Sequence, residues 1–372
     1  MKGDIFIMNP KFKIGTWEAI ATLGCISLIP ILLTIPTYAV ESFGTATFAH
    51  CVYSGIITLL VITILLKLYK GFTDMDMLDI VKYVGGNTLF IILGLVLVLY
   101  LFTLCVLTFA EFTQNLQNVL FPDAPQDYVA IFFGIALIIS LSLGIRGIFR
   151  TATIIAPLIG ISFLLMFIIL FKDVDLTNFT PIFGNGIEKF FSQGLSRIGR
   201  FEGVFYFLLI SPYVKSQPKV AYLSFLQSAI LILPTLFLLI GLIPYPSIIE
   251  NYFPIFEITR LISLGRFVQR VDSIFMLLWI LATFVYLSLT IHFLILYIQK
   301  IFKLQYSTRL IPLFTTNVIA LSSIFVNYEI TIKIRNFLFE FITPYILFIL
   351  PMIFLILARL KRRFQCQKLN LS

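Results

Sequence analysis

The chain has 372 residues, of which 59% are hydrophobic and only 12% are charged, and its mean hydropathy is +1.02. These values exclude a soluble globular domain, because no soluble fold keeps so much apolar surface away from water. The net charge of +9 does not indicate nucleic-acid binding, since the Lys and Arg residues lie between apolar runs and form no single basic face.

Ten apolar runs predict an all-α integral membrane protein with ten spans. The predicted bounds are 17–39, 46–69, 88–113, 128–144, 151–171, 199–214, 219–243, 272–298, 308–326 and 341–359. The sixth run is too short to cross about 30 Å of hydrocarbon as one straight helix. We interpret 1–372 as one transmembrane domain, with a first repeat over about 14–171, a second over about 178–359 and a basic cytoplasmic tail over 360–372.

The distribution of Lys and Arg predicts the orientation of the spans. If the N-terminus is inside, the cytoplasmic segments carry about twice as many Lys and Arg residues as the outside segments, which is the usual bias of membrane proteins. Lys333 and Arg335 are counted among the outside charges, in the loop before span ten. Both termini are therefore predicted to be cytoplasmic.

The first span of each half contains residues that break helices. In span one, the stretch LGCISLIPILLTIP includes Pro30 and Pro36, and a proline at position 30 leaves the carbonyl of Ile26 without its helical donor. In lipid such a carbonyl is costly unless it lines a polar cavity or binds a ligand. Transporters build substrate sites where two discontinuous spans meet. The alternative is a plain proline kink that packs against neighbouring helices.

Span six begins with IGRFEGVFYF, in which Gly199 and Gly203 flank Arg200 and Glu202. A guanidinium and a carboxylate beside a helix N-terminus are able to bind both ends of an amino acid. The alternative is that Glu202 pairs with an arginine of the chain and only fixes the end of the helix; the candidates are Arg200, Arg197 and Arg270.

The sequence contains no recognisable catalytic arrangement. HExxH, GxSxG and phosphate-cradling glycine loops are absent from it. The four cysteines include no CxxC pair and have no histidine at metal-ligand spacing. We therefore expect neither an enzyme nor a bound metal or cofactor.

Two stretches carry a resemblance to a known family. Residues 253–279, FPIFEITRLISLGRFVQRVDSIFMLLW, resemble a loop-to-helix signature whose residues here are Pro254, Arg270, Asp272 and Trp279. Residues 178–213 resemble a second signature, with NFTPIFGNG followed by GRFEGVFYFLLISPY. Over essentially its whole length the chain resembles the spore germination permeases, the B subunits of nutrient germinant receptors, in the amino acid–polyamine–organocation superfamily. Glu111 in span three falls where that family usually has glutamate.

The resemblance implies a five-plus-five inverted repeat (LeuT-like) with broken spans one and six, and a ligand between spans one, three, six and eight. It implies that the chain binds a small nutrient germinant, an amino acid, in the spore inner membrane. The signal that starts germination would then pass to a membrane A subunit and a lipoprotein C subunit. The family's glycines before the proline of span one are replaced here by Leu28 and Ile29, so a scaffolding protein with an inactive pocket stays open.

We expect the ligand to contact the two broken spans and spans three and eight. Glu202 or Arg200 is expected to bind a polar end of the ligand. The expected ligand-binding residues are Gly24, Cys25, Ile26, Ser27, Pro30, Phe102, Glu111, Gly199, Arg200, Glu202, Gly203, Tyr206 and Tyr286. The alternative function is an amino acid–cation or amino acid–proton symporter, which the small number of carboxylates in the spans disfavours.

Overall fold

The computed structural model describes residues 13–33, 35–194, 196–214, 216–250, 253–262, 272–305, 307, 309–325 and 327–370. Within these ranges the regular elements are helices, apart from an isolated bridge between Ile14 and Val214. Among the described residues, six helices are long and apolar enough to cross a membrane, and three shorter helices are apolar as well. The all-α membrane class predicted from the sequence is confirmed, whereas the count of ten spans stays a prediction.

The helices follow one another along the whole described chain. The first half contains α1 Thr16–Leu33, α2 Ile35–Phe43, α3 Thr47–Tyr69, α4 Met77–Leu120, α5 Gln126–Ser142 and α6 Gly144–Leu170. The second half contains α7 Ile187–Ser192, α8 Glu202–Phe205, α9 Phe207–Ile210, α10 Gln217–Leu242, α11 Ser247–Glu250, α12 Pro254–Arg260, α13 Asp272–Phe302, α14 Leu310–Ser322, α15 Tyr328–Phe337 and α16 Leu350–Asn370. Two π-helical segments, Leu338–Ile342 and Tyr345–Ile349, lie between α15 and α16.

Helices α1 and α13 form the centre of the bundle. Helix α1 is apolar around its circumference and its residues 19–29 are all buried, as expected of a helix that meets protein on every side. It packs against α6, α10 and α13. Helix α13 is buried without interruption over residues 285–295 and packs against α4 and α6. These two helices therefore position any site in the interior.

Helices α5 and α6 lie at the periphery of the bundle. They expose a continuous set of large apolar side chains, namely Ile131, Phe132, Ile135, Ile139, Ile154, Leu158, Ile161, Leu164 and Ile168. A soluble protein rarely exposes so much apolar surface, whereas a lipid-facing helix requires it. The exposed stripes indicate which surface meets the hydrocarbon.

Two predicted span boundaries differ from the helices. Helix α4 begins at Met77, well before residue 88, and is kinked at Gly86, where φ is 74° and ψ is −164°. The last helical region begins at Tyr328 instead of 341. The placement of Arg335 in an outside loop was therefore wrong, because Arg335 lies in α15 and its side chain is buried. The hydropathy pattern missed this turn since its charged residues lower the local apolar average.

The predicted basic tail continues as part of α16 and contacts backbone carbonyls. Nε of Arg359 donates to the carbonyl of Leu68 at 2.9 Å, near the C-terminus of α3, where helix carbonyls lack donors and favour a cation. Nζ of Lys361 donates to the carbonyl of Tyr83 at 2.7 Å, in the turn before the kink at Gly86. We call the end of the bundle that carries these contacts the terminus-side end, and the opposite end the far end.

Candidate ligand-binding site

Span one is helical on both sides of Thr34. Helix α1 continues through the backbone of Pro30 to Leu33, and α2 begins at Ile35; Thr34 lies outside the described residues. A proline at position 30 has no N–H to donate to the carbonyl of Ile26. The predicted break of span one therefore stays a prediction.

Span six is divided into short pieces of different helix type. They are a 3₁₀ segment Ser196–Phe201, α8, an interruption at Tyr206, α9 and a second 3₁₀ segment Ser211–Tyr213. A 3₁₀ segment rises more per residue than an α-helix, so these pieces reach further than a straight α-helix of equal length. The predicted break of span six is confirmed.

Spans one and six meet at Gly203. A Cβ atom at Gly203 would lie 2.1 Å from Oγ of Ser27, 2.6 Å from the backbone nitrogen of Ser27 and 2.8 Å from the carbonyl oxygen of Leu23. Real Cβ atoms do not approach other atoms so closely. Only glycine, which has no Cβ, allows the backbones of α1 and α8 to touch in this way.

Glu202 lies directly beside this crossing, and its carboxylate is buried inside the protein. The residue is 0% exposed, and neither carboxylate oxygen has a hydrogen-bond partner in the described part of the chain. The Tyr286 hydroxyl lies beside the carboxylate, but neither group makes a hydrogen bond of ordinary length and angle. A buried carboxylate is costly without a partner. Glu202 therefore holds an unused capacity to bind a donor or a cation.

Three buried tyrosines surround Glu202 and lie within electrostatic reach of it. The hydroxyl of Tyr100 is 2.9 Å from Oγ1 of Thr343, and that of Tyr206 is 3.2 Å from Oγ1 of Thr290. The rings of Tyr206 and Tyr286 have centroids 6.0 Å apart. Helices α4, α13 and the α15–α16 region thus supply polar groups to the break in span six.

A fully buried ion pair adjoins this cluster. Nη1 of Arg335 lies 2.5 Å from Oε2 of Glu111, and the two side chains are 1% and 0% exposed. Arg335 also acts electrostatically on Glu202 and Tyr286. Its Nε and Nη2 atoms have no hydrogen-bond partner among the described residues. One guanidinium thus faces two carboxylates, and only Glu111 is bonded to it.

The two arginines near Glu202 in sequence bind elsewhere. Nη2 of Arg197 lies 3.2 Å from Oε1 of Glu340. Nη1 of Arg200 lies 3.4 Å from Nδ1 of His50. The alternative of a Glu202 ion pair is therefore wrong for Arg197 and Arg200; Arg270 lies outside the described residues. Arg200 faces away from Glu202, since residues two apart point in different directions on a helix.

Polar contacts join the terminus-side ends of several helices. The backbone N–H of Ile14 donates to the carbonyl of Tyr213 at 2.8 Å, and the hydroxyls of Tyr69 and Ser211 are 2.7 Å apart. Nζ of Lys300 lies 2.5 Å from Asp76 and 2.8 Å from Asp79. These contacts connect span six, α3, α4 and α13 at the terminus-side end of the bundle.

An open cavity lies at the far end of the bundle. Its walls come from α1, α4, α6, α12 and α13. The lining residues are Leu28, Asn115, Val119, Phe163, Phe253, Ile255, Phe256, Thr259, Phe275, Met276, Leu278 and Trp279. Asn115 is one helical turn beyond Glu111, so the cavity lies on the far-end side of the polar cluster.

Other predicted site residues occupy different surroundings. A Cβ at Gly24 would lie 2.1 Å from Nε2 of Gln227, so Gly24 faces α10, and one at Gly199 would lie 2.6 Å from the carbonyl of Phe339. Cys25, Ile26 and Ser27 are buried, and Ser27 is hydrogen-bonded to Ser228 at 2.6 Å. Phe102 is partly buried. Because it follows Tyr100 by two residues, it lies on another face of α4. Whether these residues bind a ligand stays a prediction.

Sequence reasoning missed four residues of this region, namely Tyr100, Asn115, Trp279 and Arg335. Trp279 belongs to the signature stretch but was not assigned to a site. For Arg335 one signal was present, because a glutamate within span three requires a cation and Arg335 shortly precedes the last apolar run. Nothing in the sequence singled out Tyr100 or Asn115.

Comparisons with solved structures agree with this architecture. MHP1, a nucleobase-cation-symport-1 family transporter solved in a closed conformation with bromovinylhydantoin bound, matches with a TM-score of 0.59 and 15% identity over 91% of this chain and 75% of that one. A Na⁺-coupled sialic acid symporter in a substrate-bound outward-open state matches with a TM-score of 0.56 and 14% identity, over 91% of this chain and 81% of that one. The fold is that of an all-α membrane protein of LeuT-like architecture.

Comparisons of sequence give the family. A family model described as spore germination protein, the spore permease family, matches residues 25–330. Spore germination protein XB of Bacillus anthracis is 21% identical over 277 residues, which cover 73% of this chain and 77% of that protein. Spore germination protein B2 of Bacillus subtilis (strain 168) is 21% identical over 252 residues, 67% of this chain and 68% of that protein. The chain belongs to the spore germination permease family.

Proposed function

We propose that this protein is the B subunit of a nutrient germinant receptor that binds an amino acid next to Glu202. The observation that carries the proposal is the buried Glu202 carboxylate, which has no hydrogen-bond partner in the described part of the chain and lies where spans one and six meet. The ammonium group of the ligand would bind this carboxylate. Tyr286 and Tyr206 would border the ligand.

The membership of the spore germination family supports a role in germination. In the proposed role the protein lies in the spore inner membrane with both termini in the cytoplasm. It would signal to a membrane A subunit and a lipoprotein C subunit. A ligand shifts a conformational equilibrium only through a difference in its affinity for two states. One state here has the terminus-side contacts around Lys300 closed and the far-end cavity open, and the second state would reverse this arrangement.

The test is the germination response of spores that carry Glu202→Gln. The spores come from a host that lacks its own receptors of this family and expresses this chain with its partner subunits. Each of the twenty common L-amino acids is titrated against the wild-type chain to find those that trigger germination. A hydrogen bond to a charged group contributes about 1.5–3 kcal/mol. The half-maximal concentration should therefore rise roughly 10- to 100-fold in Glu202→Gln.

Glu188→Gln provides the matched control, because Glu188 is exposed in α7. It should respond like the wild type. A wild-type response of Glu202→Gln at every concentration would remove Glu202 from the site. Radiolabelled amino acid accumulating in liposomes that contain this chain alone would instead support an amino acid–cation or amino acid–proton symporter.

A further inference from the structure

Helix α16 carries an exposed apolar stripe that runs toward the terminus-side end of the bundle. Its members are Ile353, Leu357, Leu360 and Phe364, and all four side chains are exposed. Spacings of three and four residues place them on one face of the helix. In a membrane protein such a stripe meets hydrocarbon, because a surface in water rarely exposes so much apolar area.

Helix α3 packs against α16 and has a similar stripe. Its members Ile56, Leu60 and Ile64 are exposed, and Lys67 follows on the same face, seven residues after Leu60. Lys70 comes directly after the last residue of the helix, and both lysines are exposed. The apolar stripe of α3 therefore ends in two cations at the terminus-side end.

Contacts between the two helices bring a third cation to the same place. Nη2 of Arg359 donates to the carbonyl of Lys67, and Nη1 of Arg362 donates to the carbonyl of Gly71 at 3.1 Å. At 3.6 residues per turn, Arg363 lies between Arg359, which faces α3, and the apolar stripe of α16. The exposed side chain of Arg363 thus stands at the edge of the stripe that borders α3.

Positive charge is in excess where the two stripes end. The two lysines and Arg363 make no side-chain hydrogen bond or ion pair with the described residues. The sequences of α3 and α16 contain no Asp or Glu. In the loop between α3 and α4, Asp76 is bonded to Lys300, and Asp74 is the other carboxylate. This surface therefore lacks anions of its own.

We propose that the junction of α3 and α16 binds an anionic phospholipid. Its acyl chains lie along the two apolar stripes, and its phosphate contacts Lys67, Lys70 and Arg363. Phosphate oxygens accept charge-assisted hydrogen bonds from ammonium and guanidinium groups, and cations beside a membrane span attract anionic lipids. The stripes select a lipid over a free phosphate, because only a lipid covers them. The site shares no residue with the cluster around Glu202.

The test compares two lipids that differ in their headgroups. The purified full-length chain, freed of lipid in a neutral detergent, is titrated with dioleoylphosphatidylglycerol or with dioleoylphosphatidylcholine, which has the same acyl chains and no net charge. Native mass spectrometry counts the bound lipids. The anionic lipid should bind at least tenfold more tightly, and added salt should reduce this preference, because salt screens exposed charges. Glycerol phosphate, which has no acyl chains, should not compete with it.

A triple variant removes the three cations. Lys67→Gln, Lys70→Gln and Arg363→Gln together should weaken the binding of phosphatidylglycerol at least tenfold, since each cation near an anionic lipid contributes roughly fivefold. The binding of phosphatidylcholine should not change. All three side chains are exposed, so thermal unfolding without lipid should match the wild type and show that the variant is folded.

The matched control removes three exposed cations from the far end. Lys172→Gln, Lys189→Gln and Arg260→Gln together change the net charge equally and should leave the binding of phosphatidylglycerol unchanged. Equal affinity for the two lipids, or equal losses in the two triple variants, would overturn the proposal. So would saturable binding of a poly-L-glutamate peptide without any lipid preference, which would assign this surface to an acidic protein segment. The germination response of Glu202→Gln bears on none of these results.

Discussion

Gly203→Ala is expected to separate spans one and six at their point of contact. The added Cβ would lie 2.6 Å from the backbone nitrogen of Ser27 and 2.8 Å from the carbonyl oxygen of Leu23, whereas ordinary contact begins at 3.4 Å. Backbone atoms cannot rotate away, so α1 and α8 have to move apart by about 0.8 Å. Overpacking of this kind costs about 1–3 kcal/mol. The displaced helix carries Glu202, so the germination response should fall together with stability.

The measurement combines thermal unfolding of the purified chain in detergent with the germination assay. Gly160→Ala is the matched control, because it adds the same methyl group in α6 with nothing within 4 Å. This control should stabilise the protein slightly, since alanine favours a helix by about 0.5–1 kcal/mol over glycine. Ser27→Ala removes the nearest side-chain atom but leaves both backbone contacts, so it should not rescue Gly203→Ala. Full rescue would refute the close approach of the two backbones.

Two further predictions concern buried charges. Arg335→Met leaves the Glu111 carboxylate buried without its cation and should lower the free energy of unfolding by about 3–5 kcal/mol. Combining it with Glu111→Leu should restore part of this loss. Unchanged thermal unfolding of Arg335→Met would contradict the buried ion pair of Arg335 and Glu111. Lys300→Met removes the cation shared by two aspartates at the terminus-side end and should cost roughly 3 kcal/mol. Lys333→Met, in an exposed pair, should leave unfolding unchanged within error, and equal losses in the two lysine variants would contradict this difference.

The membrane class and the interrupted sixth span followed from the sequence because they depend on local properties. An apolar run long enough for the bilayer has no other stable environment. Proline removes a donor and glycine weakens a helix wherever they occur. Gly203 lies within about one turn of the interruption of span six at Tyr206, whereas the break near Pro30 stays a prediction. The start of the last helical region was not predicted, because α15 contains charged residues. A hydropathy average over this part of the chain combines a buried turn with an exposed one.

Only the tertiary structure decided which polar groups meet. Arg335 and Glu111 are 224 positions apart, and no spacing in the chain connects them. Arg200 stands two residues from Glu202 yet faces His50, because the rotation of a short helical piece is set by its packing on α1 and α3. The sequence determined that span six carries a carboxylate into the membrane. The packing of its neighbours decided that this carboxylate has no hydrogen-bond partner among the described residues, because side-chain partners in a bundle come from helices that are distant in the chain.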